Sequence, residues 1–205
     1  DLPIKVTKKK DDWHENHLRD QFQRNSISKG YKDYLDDDLI MISDIDEIPN
    51  PKKISSFKLE KKYACFLQKN FQSKLNLLNT SDGNWPGTKI CQKKNLKSPQ
   101  WLRDIKTKKV PFWKFYKPKQ PQLIDNGGWH FSFLKHPDDI VTKINSYSHQ
   151  EFNKPEFVDP SKIKEKIKNK EDLFGRKIAY KTIEIDKHLP DYIVKNKDKF
   201  KEWIA

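Results

Sequence analysis

Three acidic side chains stand close together after a short apolar run. Asp44, Asp46 and Glu47 follow the run 39–43 directly. Side chains alternate in an extended segment, so Asp44 and Asp46 are expected to point the same way and Glu47 the other way. Two converging carboxylates repel each other by about 1 to 4 kcal/mol in a partly screened site, and a divalent cation relieves that repulsion. Because hard oxygen ligands select Mg²⁺ or Mn²⁺, the spacing predicts a metal site at Asp44 and Asp46 that phosphate oxygens of a ligand complete.

The position of the cluster supports the same interpretation. The segment 38–43 is an apolar run with acidic residues on both sides, which is typical of a strand covered on both faces. Open α/β sheets bind their ligands at the carboxyl ends of such strands. The alternative is a charged turn without a metal, because Asp-x-Asp is short and common in a chain rich in Lys and Asp.

The elements that must position this cluster follow from the spacing of apolar residues. Helices are predicted over 12–29, 52–59, 99–105, 137–145 and 160–168, with a helical tail over 190–204. Strands are predicted over 38–43, 63–78 (one or two strands), 88–91, 110–116, 129–134 and 177–185. Pro49 and Pro51 are expected to prevent regular pairing after the acidic cluster. The length predicts a single domain over residues 1–205.

The composition limits the kinds of partner. The chain carries 42 Lys and Arg against 29 Asp and Glu, a formal charge of +13 that favours polyanions. Arginine is scarce, however, and is found at Arg19, Arg24, Arg103 and Arg176. Proteins that read bases and phosphates rely on arginine, so no nucleic acid is expected as the main partner.

Cys65 and Cys91 lie too far apart for a redox pair or a metal knuckle and are predicted to be buried thiols. No apolar run reaches the roughly 18 residues that cross a bilayer, so membrane association is expected only through segments outside this chain.

Several motifs occur in one order along nearly the whole chain. They are Trp13, Glu15 and Gln-Arg-Asn at 23–25, Ile-Ser-Asp-Ile-Asp-Glu-Ile-Pro at 42–49, Gly-Trp-His-Phe-Ser at 128–132, Lys143 with Ser146, His149 and Glu151, Leu-Phe-Gly-Arg at 173–176, and Leu-Pro-x-Tyr-Ile at 189–193. Together they resemble glycosyltransferase family 17, the family of β-1,4-mannosyl-glycoprotein β-1,4-N-acetylglucosaminyltransferases. A series of motifs in order is far more specific than a single Asp-x-Asp.

The resemblance implies a fold, a reaction and partners. The fold is a GT-A-like α/β fold with a mixed central sheet, and the chain is expected to lack the strand-helix-strand unit that relatives carry ahead of Trp13. The reaction is an inverting transfer of a sugar, in the first place GlcNAc from a UDP-GlcNAc donor, to a hydroxyl group of a glycan acceptor. Asp44 and Asp46 then hold Mn²⁺ or Mg²⁺ on the donor diphosphate. The resemblance is compatible with a protein in the cytoplasm or at the membrane periphery, or with one in the Golgi lumen by analogy with eukaryotic relatives.

The identity of the general base does not follow from spacing. Glu151 is the first candidate, because it belongs to a polar cluster with His149 after a predicted helix. Glu47 and Asp125 are the next candidates for the general base. In the alternative interpretation, His149 and Glu151 pair across a loop for structural reasons.

Four further residues are candidates for donor and acceptor binding. Lys143 and Arg176 are candidate diphosphate contacts. The tryptophans at 85, 101, 113 and 129 offer faces that a sugar ring can pack against, and Trp129 is assigned to the site because it neighbours His130. His130 is interpreted as a metal ligand or a wall of the acceptor site, or else as a hydrogen-bonded core residue.

Two other functions fit parts of the sequence. A haloacid-dehalogenase-like phosphatase also has Asp-x-Asp after an apolar strand. It requires Thr or Val where Ile48 stands, and a later Gly-Asp-x-x-x-Asp that the segment 137–139 does not supply. A basic module that binds nucleic acid or glycan would depend on the net charge, and its binding to nucleic acid would weaken steeply with salt.

Overall fold

The computed structural model describes residues 12–111, 113–114, 116–146 and 150–205, without the side chains of residues 12–14, 16 and 150. Its strands are β1 (Leu39–Ile42), β2 (Glu47–Pro49), β3 (Tyr63–Gln72), β4 (Leu77–Asn79), β5 (Trp85–Gln92), β6 (Gln122–Ser132) and β7 (Tyr180–Thr182). Its helices are α1 (Asp12–Ser26), α2 (Pro99–Asp104), α3 (Pro137–Ser146), α4 (Pro160–Asn169) and α5 (Asp191–Lys195). Short 3₁₀ helices lie at Ile27–Tyr31, Pro51–Ser56, Lys93–Asn95, Gln150–Phe152 and Lys197–Trp203. Across these described ranges, no helix has both the length and the apolar character needed to cross a membrane.

The sheet is built around two parallel strands. β3 and β6 run side by side, with Phe71 opposite Phe131 and Gln72 opposite Ser132. On the other edge of β3, β5 pairs antiparallel with its first half and β4 with its second half. β1 extends the sheet beyond β5, β7 extends it beyond β4, and β2 pairs with the second edge of β6. The predicted α/β class with a mixed sheet is therefore confirmed.

β1 lies at an edge of the sheet that the structure describes. It pairs with β5, and no strand in the described part of the chain pairs with its other edge. Its burial alternates, since Ile40 and Ile42 are buried while Leu39 is exposed. The prediction of a strand covered on both faces holds at Met41, which packs against a second core cluster on the opposite face, but not at Leu39, and the strand is not interior to the sheet. A run of four apolar residues has no alternation of its own, so its pattern could not separate an edge strand from an interior one.

β2 forms in spite of its proline. Pro49 lies opposite Gly128 at the end of the strand, and the Asn50 N–H donates to the Gly127 carbonyl at 2.8 Å. The prediction that Pro49 prevents pairing is wrong, because a proline at the end of an edge strand can do without a ladder N–H. Gly128 has a φ of 142°, and a Cβ there would lie 2.1 Å from the Ile48 carbonyl oxygen. The close approach of β2 to β6 therefore requires glycine.

Two helices, α3 and α4, pack against each other, and α3 carries a candidate site residue. Ile140 and Ile144 of α3 are buried together with Ile163 of α4. The Asp159 carboxylate caps α4 and accepts hydrogen bonds from two backbone N–H groups of its first turn. Lys143 precedes Ile144 on α3. The packing of α3 therefore decides where the Lys143 ammonium group lies.

Two predicted strands differ from the structure. The described residues of 110–116 form a loop and a turn, in which the Lys114 N–H donates to the Pro111 carbonyl at 3.0 Å. Pro111 has no N–H for a strand ladder, so this segment does not pair. Within 177–185 the strand is limited to β7. The predicted helices that correspond to α2, α3 and α4 are confirmed to within one or two residues at each end.

Both cysteines are buried thiols in the sheet, as predicted. Cys65 lies on β3 opposite Lys89, Cys91 lies on β5 opposite Tyr63, and both are free. Burial raises the pKa of the Cys65 thiol to about 11 and that of the Cys91 thiol to about 12. The thiolate is the reactive form of cysteine, so both side chains are chemically quiet while the protein is folded.

Candidate active site

A tight turn carries the acidic cluster. The Glu47 N–H donates to the Asp44 carbonyl at 3.0 Å, and Ile45 is fully exposed within the turn. The Ser43 hydroxyl donates to the Glu47 carbonyl at 2.9 Å and so helps to close the turn. The segment is not extended, so the strand alternation that was expected to aim Asp44 and Asp46 together does not apply. The two carboxylates instead contact different partners.

Asp44 is bound by two arginines. Its Oδ1 accepts a hydrogen bond from Arg24 at 3.1 Å, and its Oδ2 accepts one from Arg103 at 2.9 Å. Arg24 lies in the last turn of α1 and also donates to Oε1 of Gln100 at 2.6 Å. Asp44 therefore ties α1 and α2 to the acidic turn.

Glu47 is the buried centre of this network, since none of its side chain is exposed. Arg103 donates to both of its oxygens, at 2.8 and 2.9 Å, and Nε1 of Trp85 donates to Oε1 at 2.8 Å. Burial opposes the charge of Arg103, but the hydrogen bond and charge of Glu47, with the charge of Asp44, raise its pKa above the ordinary value. Both Glu47 oxygens are engaged, which suits a structural acid better than the general base that the sequence suggested.

Asp46 faces a lysine and a histidine. Nζ of Lys143 lies 3.5 Å from its Oδ2, and Nε2 of His130 lies 3.7 Å from its Oδ1. Burial opposes ionisation of Asp46, but the contact with His130 and the charges of His130 and Lys143 outweigh it and lower the pKa below the ordinary value. About a quarter of the side chain is exposed (24%). Asp46 is therefore an ionised carboxylate within reach of a ligand.

The orientation of His130 is set by two neighbours. Its Nδ1 lies 3.0 Å from Oδ1 of Asn70, which fixes the rotation of the imidazole ring. The Trp85 ring stacks on the imidazole, with ring centroids 4.3 Å apart and planes inclined by 12°. Because Trp85 also donates to Glu47, the position of His130 is linked to the buried acid.

A cavity of about 490 Å³ opens beside His130. This volume lies within the range of about 300 to 1,000 Å³ that is usual for small-molecule sites. β3 and β6 and two later segments contribute Asn70, Gln72, His130, Ser132, Phe152 and Arg176 to its lining. The candidate active site therefore consists of this cavity and the acidic turn that meets it at His130.

The structure brings several of the predicted residues to this site. His130 and Lys143 both contact Asp46, as described above. Arg176 lines the cavity, although its guanidinium group is bound to Asp172 through contacts of 2.7 and 3.1 Å. Glu151 is exposed and directly precedes a lining residue of the cavity. The candidate His149 lies outside the described residues.

Trp129 occupies a different place from the one predicted. It is buried in the core beside Phe71, and its Nε1 donates to the His188 carbonyl at 2.7 Å. Successive residues of a strand point to opposite faces, so Trp129 faces the core because His130 faces the cavity. The assignment of Trp129 to the binding site is therefore corrected. Trp85 is the tryptophan that lines the cavity.

The two aspartates of the acidic turn differ in how much room they leave for a divalent cation. Among the described residues, no group of three or more His, Cys, Asp or Glu side chains could hold a metal ion. Each oxygen of Asp44 has a guanidinium group within 3.1 Å, which disfavours a second cation there. Asp46 makes longer contacts, and Mg²⁺ needs only one or two carboxylates when a diphosphate and water supply the other oxygens. The residues therefore fit an ion held by Asp46 rather than one held between both aspartates.

Sequence reasoning did not assign Arg24 and Arg103 to the site. The chain has 42 Lys and Arg together, and four of these are arginines. Arg24, Arg103 and Arg176 all bind carboxylates in or beside the site. A guanidinium group can bind a carboxylate through two parallel hydrogen bonds, which an ammonium group cannot do. The scarcity of arginine in a lysine-rich chain was therefore the signal, although the fourth arginine, Arg19, forms an exposed pair on α1.

Asp172, which holds Arg176 at the cavity, is expected to make the stability of the fold sensitive to acid. Only 1% of its side chain is exposed, and it also accepts a hydrogen bond from the Phe174 N–H at 3.0 Å. Burial opposes its ionisation, but the hydrogen bonds and the charge of Arg176 lower its pKa below the ordinary value. Such a group stabilises the fold above its unfolded pKa of about 3.9, and this contribution is lost as the pH falls through the folded pKa.

Asp172→Asn is therefore expected to lower the free energy of unfolding by about 2 kcal/mol at about pH 7 and by less in acid, at a pH below the unfolded pKa of about 3.9. Urea unfolding at both pH values measures the difference. Asp198→Asn is the matched control, because Asp198 is 79% exposed in its pair with Lys201. An Asp172→Asn effect of equal size at both pH values would contradict the prediction.

Comparison with known proteins identifies the family. The model of glycosyltransferase family 17 matches residues 95–204, which is more than half of the chain. The match contains His130, Lys143 and Arg176, and it begins after the acidic turn. Comparisons with curated proteins and with solved structures found no match. The match identifies a sugar-transferring enzyme. The chain belongs to glycosyltransferase family 17, so it takes a sugar donor and an acceptor.

Proposed function

We propose that the protein is an inverting, metal-dependent glycosyltransferase with a GT-A-like fold. It moves GlcNAc from UDP-GlcNAc to a hydroxyl group of a glycan. The observation that carries the proposal is Asp46, a partly exposed carboxylate with a lowered pKa that faces Lys143 and His130 beside the cavity. Family membership supports sugar transfer in general, and the site residues support the donor class.

The positive charges around the acidic turn suit a donor diphosphate. Lys143 is half-buried and contacts Asp46, while Arg24 and Arg103 bind Asp44. Arginine and lysine bind phosphate oxygens through charge-assisted hydrogen bonds. A divalent ion held by Asp46 would neutralise charge on the departing UDP when it is bound. Lys143 then has two roles, since it neutralises Asp46 before the donor binds and contacts the diphosphate afterwards.

The acceptor hydroxyl must lose its proton during the reaction. Its oxygen attacks the anomeric carbon as the bond to the diphosphate breaks, and a base takes the proton. We assign this role to Glu151, because it is exposed and adjoins the cavity-lining Phe152. Asp125 is a poorer candidate, because it is not among the residues that line the cavity.

A donor screen tests the proposal. UDP-GlcNAc, UDP-GalNAc, UDP-glucose and UDP-galactose are each incubated with the protein and a panel of neutral glycans, with Mn²⁺, with Mg²⁺ or with EDTA. UDP release is expected to be fastest with UDP-GlcNAc and to fall at least about 10-fold in EDTA. The product is expected to carry a β-linkage, because the donor linkage is α and the reaction inverts it.

The outcomes separate the parts of the proposal. Release that persists in EDTA would contradict the metal, and an α-linked product would contradict inversion. Release of phosphate from simple phosphoesters without any sugar nucleotide would favour a phosphatase instead.

A further inference from the structure

The loop that joins α2 to β6 is basic and carries exposed aromatic side chains. Residues 105–121 contain six lysines and no arginine, aspartate or glutamate. Trp113 is 62% exposed and Tyr116 is 71% exposed. The cavity beside His130 is lined by other segments of the chain. The charge and the exposed rings of this loop therefore have no role in the candidate active site. Five of the six lysines are exposed, which are Lys106, Lys108, Lys109, Lys117 and Lys119.

Hydrogen bonds hold the two ends of the loop together. Nε2 of Gln120 donates to the Thr107 carbonyl at 2.7 Å and so joins the end of the loop to its beginning. The Tyr63 hydroxyl, at the first residue of β3, donates to the Lys119 carbonyl at 3.0 Å. Compact loops whose ends lie close together keep a defined shape on a protein surface. The loop is therefore fixed to the sheet at its base.

Two successive turns carry the aromatic side chains. The Lys114 N–H donates to the Pro111 carbonyl at 3.0 Å, and the Lys117 N–H donates to the Lys114 carbonyl at 3.0 Å. Trp113 lies within the first turn and Tyr116 within the second. The turns therefore present both exposed rings beside lysines of the same loop.

A second segment extends the charge of the loop. β3 and β6 are parallel, so the residues that precede them lie at the same end of the sheet. The Lys58 N–H donates to Oε1 of Gln122 at 3.0 Å, which places the segment 58–62 next to the end of the loop. This segment adds three exposed lysines and Leu59, which is 61% exposed. The lysines of 105–121 and 58–62, together with Leu59, Trp113 and Tyr116, are called the basic surface below.

Acidic side chains do not balance this charge. Within the described part of the chain, the ion pairs of lysine involve residues outside the basic surface, which are Lys52, Lys94, Lys143 and Lys201. The acidic residues nearest along the chain are Glu60, Asp104 and Asp125, against nine lysines in the two segments. The excess of positive charge attracts a polyanion.

The side chains of the basic surface favour a lipid bilayer over a nucleic acid. Lysines next to an anionic bilayer are attracted by its negative surface potential. Tryptophan and tyrosine rings lie preferentially at the level of the lipid headgroups, and aliphatic side chains such as Leu59 enter the boundary with the acyl chains. Nucleic-acid surfaces instead rely on arginine, which both segments lack, and offer no apolar layer to an aliphatic side chain.

We infer that the basic surface binds the surface of an anionic lipid bilayer, with Trp113 and Tyr116 at the level of the headgroups. A long apolar span is needed to cross a bilayer but not to lie on its surface. β3 and β6 begin at the basic surface, whereas Gln72 and Ser132 at their ends line the cavity. The bound protein therefore keeps its cavity open to water. The inference does not depend on the proposed sugar transfer.

Vesicle binding tests the inference on the whole chain, without donor or acceptor. The protein is sedimented with vesicles of phosphatidylcholine alone and with vesicles that contain about one third phosphatidylserine. Binding to the mixed vesicles is expected to be at least about 10-fold tighter, and to fall at least about 10-fold when the salt is raised from about 0.1 M to about 0.5 M.

Two triple variants separate the basic surface from the net charge of +13. Lys108→Gln, Lys109→Gln and Lys117→Gln together are expected to weaken binding to the mixed vesicles at least about 20-fold. The matched control makes the same change of charge at three exposed lysines of α4, and is expected to bind within about 3-fold of the wild type. Its substitutions are Lys162→Gln, Lys164→Gln and Lys168→Gln. Thermal unfolding verifies that both variants are folded.

A quenching experiment reports whether Trp113 reaches the lipid. Lipids brominated in the acyl chains quench the fluorescence of a tryptophan that lies close to them. The chain has six tryptophans, so the signal of Trp113 is the difference between the wild type and Trp113→Phe. Quenching of the wild type on mixed vesicles is expected, and Trp113→Phe is expected to lose most of it.

The remaining outcomes would each overturn the inference. Equal binding by the two triple variants would assign the attraction to the net charge of the protein. Equal binding to neutral and mixed vesicles would remove the anionic lipid from the interaction. Quenching that is unchanged in Trp113→Phe would place another part of the molecule against the bilayer. A single-stranded oligonucleotide that displaces the protein from the mixed vesicles at an equal concentration of charge would assign the basic surface to nucleic acid.

Discussion

Asp46→Asn is expected to lower kcat/KM for sugar transfer at least about 100-fold, or about 3 kcal/mol, while the protein stays folded. Asparagine keeps the shape of the side chain but removes the charge that faces Lys143 and His130 and that would attract the proposed divalent ion. The contacts of Asp46 are long and it is partly exposed, so the free energy of unfolding is expected to change by less than about 1 kcal/mol. Steady-state UDP release and urea unfolding measure the two effects separately.

Two further aspartates serve as comparisons for Asp46. Asp44→Asn is expected to cost less activity, because Arg24 and Arg103 already occupy both Asp44 oxygens. Asp191→Asn is the surface control and is expected to behave as wild type, since Asp191 is 61% exposed in its pair with Lys52. If Asp44→Asn costs more activity than Asp46→Asn, the ion-binding carboxylate has been assigned to the wrong residue.

Arg103→Met is expected to lower the free energy of unfolding by about 3 to 5 kcal/mol. The side chain of Arg103 is 10% exposed, and that of its partner Glu47 is fully buried. Removing the guanidinium group leaves a buried carboxylate with Trp85 as its remaining side-chain donor. Burial of such a charge without its counter-ion is costly, because the protein interior replaces water poorly. Urea unfolding measures the loss.

A second substitution tests whether the pair itself is responsible. Arg103→Met combined with Glu47→Leu removes both charges and leaves apolar side chains, which often costs little. The double variant is therefore expected to be more stable than Arg103→Met alone. Arg19→Met is the exposed control, expected to cost less than about 0.5 kcal/mol because its pair with Glu15 lies within one exposed helix face. Glu47→Leu is also measured alone. If the loss of stability in the double variant equals the sum of the losses in the two single variants, Arg103 and Glu47 are not coupled.

Local patterns predicted the parts of the fold that local interactions determine. α3 and α4 were found from their apolar spacing, because this signal lies within one or two helical turns. The strand around His130 was found from the alternation of its apolar and polar residues. Its alternation also contained the correct position of Trp129, but sequence adjacency to His130 was used instead, and adjacent strand residues face opposite ways.

The acidic turn could not be predicted from its own residues. The segment 44–47 is compatible with an extended strand and with a turn, and the turn forms because β2 pairs with β6. Arg103 reaches Asp44 across 59 positions of sequence, and Trp85 reaches Glu47 across 38. These contacts depend on the order of strands in the sheet, which no local spacing contains. The candidate residues were therefore found more readily than their partners.

The two thiols at the heart of the sheet make local opening of the protein measurable. Cys65 and Cys91 lie on the adjacent strands β3 and β5, and both thiols have a raised pKa because they are buried. An alkylating reagent can modify them only when these strands separate and the thiols meet water. The rate of alkylation in native buffer therefore reports how often the centre of the molecule opens, without any introduced label. A ligand that binds in the cavity and stabilises the pairing of β3 with β5 would slow that rate. The chain therefore contains its own probe of binding.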